Sequence, residues 1–378
     1  MANPLRRRRW ILCSANNGVN VVMYKPILRR IEDDPRLRIH HTGTLSHTRQ
    51  FQEEERADLN RFFSRHGVQR GVLHFRVARF MPWDVYLSPN FSQRIIPRFA
   101  KLKVQIFHGV SFKNCAIKPK STMFDRLFLP GPYHRRQFIE RGLFEEGDPR
   151  LVMTGLPKVD RLVDGSIDPA QVLLALDLDP ALPTVLYAPT GDSGNSLNRH
   201  GEAIIEALLD LPINLIVKPH DHASEDPECS IDWPTRLSEW RHERLRADLG
   251  SDIVPLLAAA DLLLTDASSV AFEYTLVDRP IVFFDVPEIL YGMRKSKIDL
   301  DTWGRKGGEI VKTADELREV VPRLLENPEE KGEIRRAIAN DLFFEPGTAT
   351  DRAVRRLYED LELELPETVK DVEAAVAG

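Results

Sequence analysis

The first part of the chain alternates short apolar runs with amphipathic stretches, a pattern that predicts strands separated by helices. Helices are expected from about Tyr24 to Ile31, after a loop that contains Gly18, and from His134 to Glu140. Strands and helices in alternation favour a parallel sheet with helices on both faces. The apolar runs predict strands at 8–14, 37–41, 71–75, 85–87, 104–107, 126–129 and 151–154.

The same alternation returns in the second part of the chain, from Thr184 to about Asn327. The segment before it, 160–183, contains Asp-Pro turns at 168–169 and 179–180 and predicts a connection between domains. A last helix is expected near 350–363, followed by a polar tail at 367–378 that frays. We therefore predict an α/β protein with Rossmann-like domains at 1–165 and 166–345 and a C-terminal segment at 346–378.

The segment LLLTDASSVAFEYTLVDRPIVFF, residues 262–284, carries the clearest chemical signal. It predicts a buried strand, a polar turn, a helix beginning near Ser268 and a second buried strand. Asp266, Ser268 and Ser269 are typical helix N-cap residues, and the N–H groups of a first helical turn can hold a phosphate group. Glu273 follows one turn later, where a carboxylate can accept hydrogen bonds from ribose hydroxyls. The simpler alternative is an ordinary capped helix between two strands.

Polar side chains also follow three other predicted strands. Ligands of open α/β sheets bind at the carboxyl ends of the strands, so these positions are expected to share one functional edge in each domain. For any single histidine among them, a purely structural role remains the alternative. The strand-end residues are Lys218 and His220 in NLIVKPHDH, Pro189 and Thr190 in VLYAPTGDSGNSL, and His108, Gly109 and Lys113 in QIFHGVSFKN.

Composition narrows the class of protein. With 378 residues, 42% of them hydrophobic and 29% charged, the chain is typical of soluble globular proteins with two cores. No apolar run approaches ~20 residues, which argues against a transmembrane helix, and Arg6–Arg9 lead only into a short strand-like run, so no signal peptide is predicted. Three widely spaced cysteines fit neither a disulfide framework nor a zinc motif and indicate a cytoplasmic location.

The net charge of −5 conceals a division of the chain into a basic and an acidic part. Residues 1–165 contain 30 Lys and Arg against 15 Asp and Glu, a net charge of +15. The remainder contains 22 Lys and Arg against 42 Asp and Glu, a net charge of −20. A basic half of this size attracts polyanions such as phosphate polymers or an anionic membrane surface. The alternative is that the arginines are solvated and balance the acidic half. Nucleic acid is not expected, because its usual binding motifs are absent from the sequence.

Taken in order, these motifs resemble the CDP-glycerol glycerophosphotransferase family, which includes teichoic acid primases and polymerases. The resemblance implies a GT-B fold, in which two Rossmann-like domains with parallel sheets face a cleft and the C-terminal helix crosses back to the first domain. Two departures are Val110-Ser111, where family members usually have Thr-Pro, and Ala267, where they have Tyr. The matching segments are HGVSFKN (108–114), TGLPKVDRL (154–162), LYAPTGD (186–192), VKPH (217–220), 252–284 and GTATDR (347–352).

The resemblance implies an enzyme that moves an alditol phosphate, most simply glycerol phosphate, from a CDP-activated donor to an acceptor hydroxyl and releases CMP, in cell-surface or capsule polymer synthesis. His108 is the expected general base and His220 the group that neutralises charge on the pyrophosphate, with interchangeable roles. Donor contacts are expected at Gly109, Lys218, Pro189, Thr190, Asp266, Ser268, Ser269 and Glu273, and further phosphate contacts at Lys113, Arg294 and Arg305.

The implied partners are the CDP-activated donor, a phosphate-bearing or lipid-linked polymer acceptor and the inner face of the cell membrane, where the protein would lie peripherally. No cofactor and no metal site are expected. Asp177–Asp179 and Asp299–Asp301 match the loose DxD pattern of metal-dependent glycosyltransferases, but two carboxylates at this spacing are common in loops. Two other functions stay open, a GT-B nucleotide-sugar glycosyltransferase or UDP-sugar 2-epimerase, and an anion-binding protein without catalysis.

Overall fold

A computed structural model describes residues 8–44, 55–89, 95–107, 109–110, 117–192, 194–220, 231–289 and 304–366. The chain forms two compact units. Unit 1 comprises Met1–His108, Ala116–Asp160 and Phe343–Gly378, and unit 2 comprises Gly109–Cys115 and Arg161–Leu342. The C-terminal helix therefore belongs to the unit that begins the chain. None of the helices in the described ranges is long and apolar enough to cross a membrane.

Unit 1 is built on a parallel six-stranded sheet with the spatial order β2-β1-β3-β4-β5-β6. The order reverses between β1 and β3, so this sheet has a topological switch point there. The strands are β1 (Arg9–Ser14), β2 (Leu37–Thr42), β3 (Pro82–Ser88), β4 (Phe99–Gln105), β5 (Arg126–Leu129) and β6 (Leu151–Met153). The helices are α1 (Gly18–Ile31), α2 (Glu55–Arg65), α3 (Phe75–Ala78), α4 (Pro132–Glu140) and α12 (Ala349–Asp360).

The sheet of unit 1 is buried on both faces. Successive residues of β1 point to opposite faces, and Ile11 and Leu12 accordingly belong to two different apolar clusters. The cluster on the Ile11 side includes Val354 and Leu357 of α12, both essentially inaccessible to water. Since burying one such side chain contributes about 1.5–3 kcal/mol, α12 is an integral part of this core.

Unit 2 has a second parallel six-stranded sheet, with the order β12-β11-β10-β7-β8-β9. Numbered in order of appearance and read from the β9 edge, this is 3-2-1-4-5-6, the order of dinucleotide-binding Rossmann folds, with its switch point between β7 and β10. The strands are β7 (Thr184–Tyr187), β8 (Asn214–Val217), β9 (Leu245–Ala247), β10 (Leu262–Thr265), β11 (Ile281–Phe284) and β12 (Glu309–Val311). The helices are α5 (Pro169–Ala175), α6 (Ser196–Leu209), α7 (Trp233–Glu239), α8 (Val254–Ala259), α9 (Val270–Tyr274), α10 (Ala314–Glu326) and α11 (Gly332–Leu342).

Three predictions for unit 1 are wrong. The strand predicted at 104–107 is β4, which begins at Phe99 and ends at Gln105. The first helix begins at Gly18 rather than Tyr24, because the Asn17 side chain accepts a hydrogen bond from the backbone N–H of Asn20 and caps it early. Residues 71–75 do not form a strand: Val72 makes an isolated bridge to His41, and α3 already begins at Phe75. Both sheets are parallel, which confirms the α/β prediction.

Candidate active site

The turn between β10 and α9 differs from its prediction. The helix begins at Val270, and Ser269 occupies the N-cap position without a capping hydrogen bond from its side chain. The helix has five residues, so its dipole supplies little of the field that a longer helix would. Ser269 thus holds the predicted N-cap position, but the expectation that the side chains of Asp266 and Ser269 supply capping hydrogen bonds is wrong, and the turn owes its shape to another interaction.

That interaction is a buried hydrogen-bond network around Asp266, which is 2% exposed. Its Oδ1 accepts the backbone N–H of Thr190 at 2.8 Å, and its Oδ2 accepts the backbone N–H and the hydroxyl of Ser196, both at 2.9 Å. Thr190 and Ser196 belong to the segment after β7. Asp266 thus ties the loops of β7 and β10 together across the switch point of the unit 2 sheet, where α/β proteins bind nucleotides.

The same network extends to Tyr187 at the end of β7, whose hydroxyl lies 2.8 Å from Ser196 Oγ. Ser196 gives its single proton to Asp266, so Tyr187 must donate to Ser196. Burial raises the pKa of Tyr187 well above its usual value, and the Asp266 charge adds to this effect, so the phenol keeps its proton. The network has one internally consistent arrangement of hydrogens, which favours a rigid loop.

Asn195 completes the β7 loop and was not among the residues predicted for the site. Its Nδ2 donates to the carbonyl of Thr190 at 2.8 Å, and its Oδ1 accepts the N–H of Asn198 at 2.8 Å. One side chain therefore both closes the loop and caps α6. Asn195 directly before the amphipathic run of α6 was the available signal, because Asn is a preferred N-cap residue.

His220, at the end of β8, lies against the β7 loop. An ideal Cβ built on Gly191 would be 2.6 Å from His220 Nδ1, so the imidazole packs directly on the glycine backbone. The predicted strand ends of β7 and β8 are thus brought together. The charge of Lys218, which was predicted to contact the donor, is already partnered inside the protein. Its ammonium donates to the carbonyl of Gly250 and lies 3.5 Å from Asp248 Oδ1.

Gly109, Ser269 and Glu273 form a second group in unit 2. An ideal Cβ on Gly109 would lie 3.7 Å from Glu273 Oε1 and 3.8 Å from Ser269 Oγ. Glu273 is 1% exposed and Ser268 is also buried, whereas Ser269 is only partly so. The chain after β4 therefore passes beside the two side chains that were predicted to hold phosphate and ribose.

The remaining predicted residues are distributed as follows. Pro189 is buried at the start of the β7 loop, next to Thr190. Arg305 forms an ion pair of 2.7 Å with Asp285, the residue after β11. His108, Lys113 and Arg294 lie outside the described residues. Within the described ranges, no group of three or more His, Cys, Asp or Glu side chains is arranged to hold a metal ion.

Comparison with known sequences adds an independent observation. The sequence model described as CDP-Glycerol:Poly(glycerophosphate) glycerophosphotransferase matches residues 85–359. A teichoic acid glycerol-phosphate transferase of Staphylococcus aureus is 25% identical over 254 residues, which cover 64% of this chain and 62% of that protein. A teichoic acid ribitol-phosphate primase of Bacillus spizizenii is 22% identical over 319 residues, 74% of each chain. The match thus spans less than two thirds of the staphylococcal relative.

Comparison with solved structures concerns the fold. The wall teichoic acid polymerase TagF superimposes with a TM-score of 0.63 at 16% identity, covering 94% of this chain and 90% of that chain. A putative UDP-N-acetylglucosamine 2-epimerase of Listeria monocytogenes superimposes with a TM-score of 0.59 at 15% identity, covering 97% of this chain and 99% of that chain. These likenesses, together with the two parallel sheets, confirm the predicted two-domain GT-B fold.

The matched range 85–359 contains every residue predicted for the site, from His108 to Arg305, and most of the chain. It also contains the Asp266 network and the contact between Gly191 and His220. The chain belongs to the CDP-glycerol:poly(glycerophosphate) glycerophosphotransferase family.

Proposed function

We propose that this protein transfers an alditol phosphate, most simply glycerol phosphate, from a CDP-activated donor to a hydroxyl of a phosphate-bearing polymer, in the synthesis of a cell-surface polymer. Family membership supports the class of reaction. The observation that carries the proposal is the Asp266 network, which fixes the β7 and β10 loops at the switch point, with His220 packed beside them. This is the position at which such a sheet binds a nucleotide.

The chemistry follows from the bond that changes. An acceptor oxygen attacks the β-phosphorus of the donor, the bond from this phosphorus to the oxygen of the CMP phosphate breaks, and the acceptor proton passes to a base. Such transfers depend on positioning and on stabilisation of charge more than on covalent catalysis by the protein. A neutral imidazole can take the proton near pH 7.

We assign the residues as follows. His220 interacts with the pyrophosphate as charge develops on CMP, and Ser268 and Ser269 hold the phosphates. Glu273 accepts hydrogen bonds from the ribose. His108 is the general base, a role supported by its place in the segment 108–114, which lies within the range matched by the family. Thr190 and Asp266 position the β7 loop, since the backbone N–H of Thr190 donates a hydrogen bond to the Asp266 carboxylate.

The location of the reaction is part of the proposal. We expect a cytoplasmic protein on the inner face of the cell membrane, because the +15 charge of residues 1–165 suits anionic lipids and phosphate polymers alike. The alditol stays open, because the relatives include both a glycerol-phosphate transferase and a ribitol-phosphate primase.

A second candidate is a reaction on a UDP-sugar, which the likeness to a 2-epimerase fold favours. A donor screen separates the candidates: CMP release from CDP-glycerol or CDP-ribitol supports the proposal, whereas UDP release or epimerisation from UDP-sugars would replace it. Binding of nucleotides without turnover of any donor would leave only the anion-binding function.

Catalytic roles are tested in the same assay. Replacing His108 or His220 with Ala is expected to lower kcat about 10²- to 10⁴-fold, the usual effect of removing a proton-transfer or charge-stabilising group. His200→Ala is the matched control, because His200 is exposed on α6 and contacts Phe284. Turnover near the wild-type rate in both variants would overturn the assignment.

A further inference from the structure

Unit 1 contains a cavity of about 700 Å³ that shares no lining residue with the candidate active site. It is bounded by one face of α1, by the edge strand β2 and by residues 67–70. Four cationic side chains line it, against the single lining carboxylate of Glu32. The four are Lys25, Arg29, Arg38 and Arg70.

The cations of this cavity are available to a ligand. No ion pair or hydrogen bond joins the side chains of Arg29, Arg38 or Arg70 to another residue of the described ranges. Other arginines of unit 1 are paired, such as Arg126, whose guanidinium lies 2.8 Å from the carboxylate of Asp360. The ammonium of Lys25 makes one hydrogen bond, to the carbonyl of His66 at 3.2 Å, and keeps two N–H groups.

The floor of the cavity is less polar than its rim, which the four cationic side chains form. It is formed by apolar residues such as Val21 and Ile39, by the ring of His41 and by the buried Tyr24, whose hydroxyl lies 3.4 Å from His41 Nδ1. Burial, together with the neighbouring His40, lowers the pKa of His41 to about 4, so the ring is neutral at pH 7. A neutral, partly apolar floor suits hydroxyl and methylene groups rather than a second layer of charge.

We propose that this cavity binds a phosphodiester-linked polyol chain, with phosphates on the cationic rim and polyol units on the floor. The volume lies within the ~300–1,000 Å³ range of sites that enclose small organic ligands, so the site exceeds what a single phosphate ion needs. The identity of the chain rests on the proposed function, whose product is such a polymer. The cavity then holds part of the growing chain apart from the site of transfer.

Direct binding tests the proposal. The double variant Arg38→Gln with Arg70→Gln removes two cations of the rim, and Arg65→Gln with Arg76→Gln removes two exposed arginines of unit 1 that do not line the cavity. Titration calorimetry with oligo(glycerol phosphate) of defined length should show at least a tenfold loss of affinity for the first variant and less than a twofold loss for the second. Equal losses of affinity in the two variants, or no loss in either, would overturn the proposal. Thermal unfolding checks that both variants fold.

A second arm identifies the ligand chemistry. Inorganic tripolyphosphate carries comparable charge without polyol units, and it should bind the wild-type protein at least tenfold more weakly than the oligomer. Equal affinity would reduce the cavity to a general anion site and overturn the polyol assignment.

The two proposals fail separately. If no CDP-activated donor releases CMP, yet oligomer binding still depends on Arg38 and Arg70, the transfer function is wrong and the cavity assignment stands. If CMP release occurs and oligomer binding is indifferent to these arginines, the cavity assignment is wrong and the transfer function stands.

Discussion

Asp160 accepts two hydrogen bonds from Thr350, one from its backbone N–H and one from its hydroxyl, each 2.7 Å long. The other carboxylate oxygen accepts the N–H groups of Gly347 and Ala349. Ala349 and Thr350 are in the first turn of α12, where the N–H groups of a helix have no partner within the helix, and Gly347 lies just before it. The contact also gives a structural role within unit 1 to two motifs distant in sequence, TGLPKVDRL and GTATDR.

Asp160→Asn is expected to lower the free energy of unfolding by about 2–3 kcal/mol. The amide keeps one acceptor oxygen but turns an NH₂ group toward N–H donors, and hydrogen bonds to charged groups contribute about 1.5–3 kcal/mol. Asp164→Asn is the control: Asp164 is exposed and accepts one hydrogen bond from Ser166, and its effect should stay within about 0.5 kcal/mol. Urea titration followed by circular dichroism measures both, and equal effects would contradict the role of Asp160.

Gly191→Ala is expected to lower kcat/KM for the donor about 10- to 100-fold. The new Cβ would meet the His220 ring at 2.6 Å, so the imidazole or the β7 loop must move, and small displacements of a reacting group are costly. At Gly194 a Cβ would lie no closer than 3.4 Å to the side chain of Arg199 and 3.5 Å to that of Asp192, which are ordinary contacts, and Gly194→Ala should retain activity. Wild-type kinetics for Gly191→Ala would remove His220 from the reaction.

Glu273→Gln separates ribose from phosphate recognition. If Glu273 accepts hydrogen bonds from the ribose, the variant should bind CDP at least tenfold more weakly but should bind 2′,3′-dideoxy-CDP almost as the wild type does. Ser268→Ala combined with Ser269→Ala should weaken both ligands, since both carry the diphosphate. Calorimetric titration of the wild type and both variants with each ligand measures the six affinities. A Glu273→Gln variant that loses both ligands equally would place Glu273 away from the ribose.

Stability is expected to fall between pH 6.5 and about pH 4 because of His41. Its folded-state pKa of about 4 lies below its ordinary value of 6.5, so in this interval the unfolded chain binds a proton that the folded protein excludes. The contribution is fully present above pH 6.5 and is lost as the pH falls toward 4, up to about 3 kcal/mol at 1.36 kcal/mol per pKa unit. His41→Gln should flatten this part of the profile in urea titrations at pH 7, 6 and 5. An unchanged slope would contradict the assignment.

Binding to acidic vesicles is expected to weaken steeply with salt, since exposed charges are screened over roughly 8 Å at physiological ionic strength. Donor affinity should change less. Glu substitutions at Arg6, Arg7 and Arg8 should weaken vesicle binding at least tenfold and spare CMP release; Arg9 is left intact because its guanidinium donates to the carbonyl of Leu361. Neutral vesicles are the control. Binding that is negligible, or indifferent to salt, would remove the membrane from the proposal.

The strands were largely predictable and the site network was not. The strand Arg126–Leu129 has the predicted bounds, because its last three residues form the continuous apolar run that is typical of a parallel strand covered on both faces. Asp266 was misread as a helix cap, because capping rules consider neighbours in sequence, whereas its partner Thr190 is 76 residues away. Val72 and Phe75 were misread as a strand, since five residues carry too short a pattern to separate a bridge and a turn of helix from a strand.

Unit 2 interrupts unit 1 in the sequence, and this order has a consequence for biosynthesis. The apolar surface of β1 and α1 is covered partly by Val354 and Leu357 of α12, which follow residues 161–342 in the chain. At about 5–20 residues per second, a ribosome needs roughly 10–40 s to make the intervening segment. During that time the first unit is an incomplete core on the nascent chain, while the second can already fold. The part of the protein that is made first is therefore the part that finishes folding last.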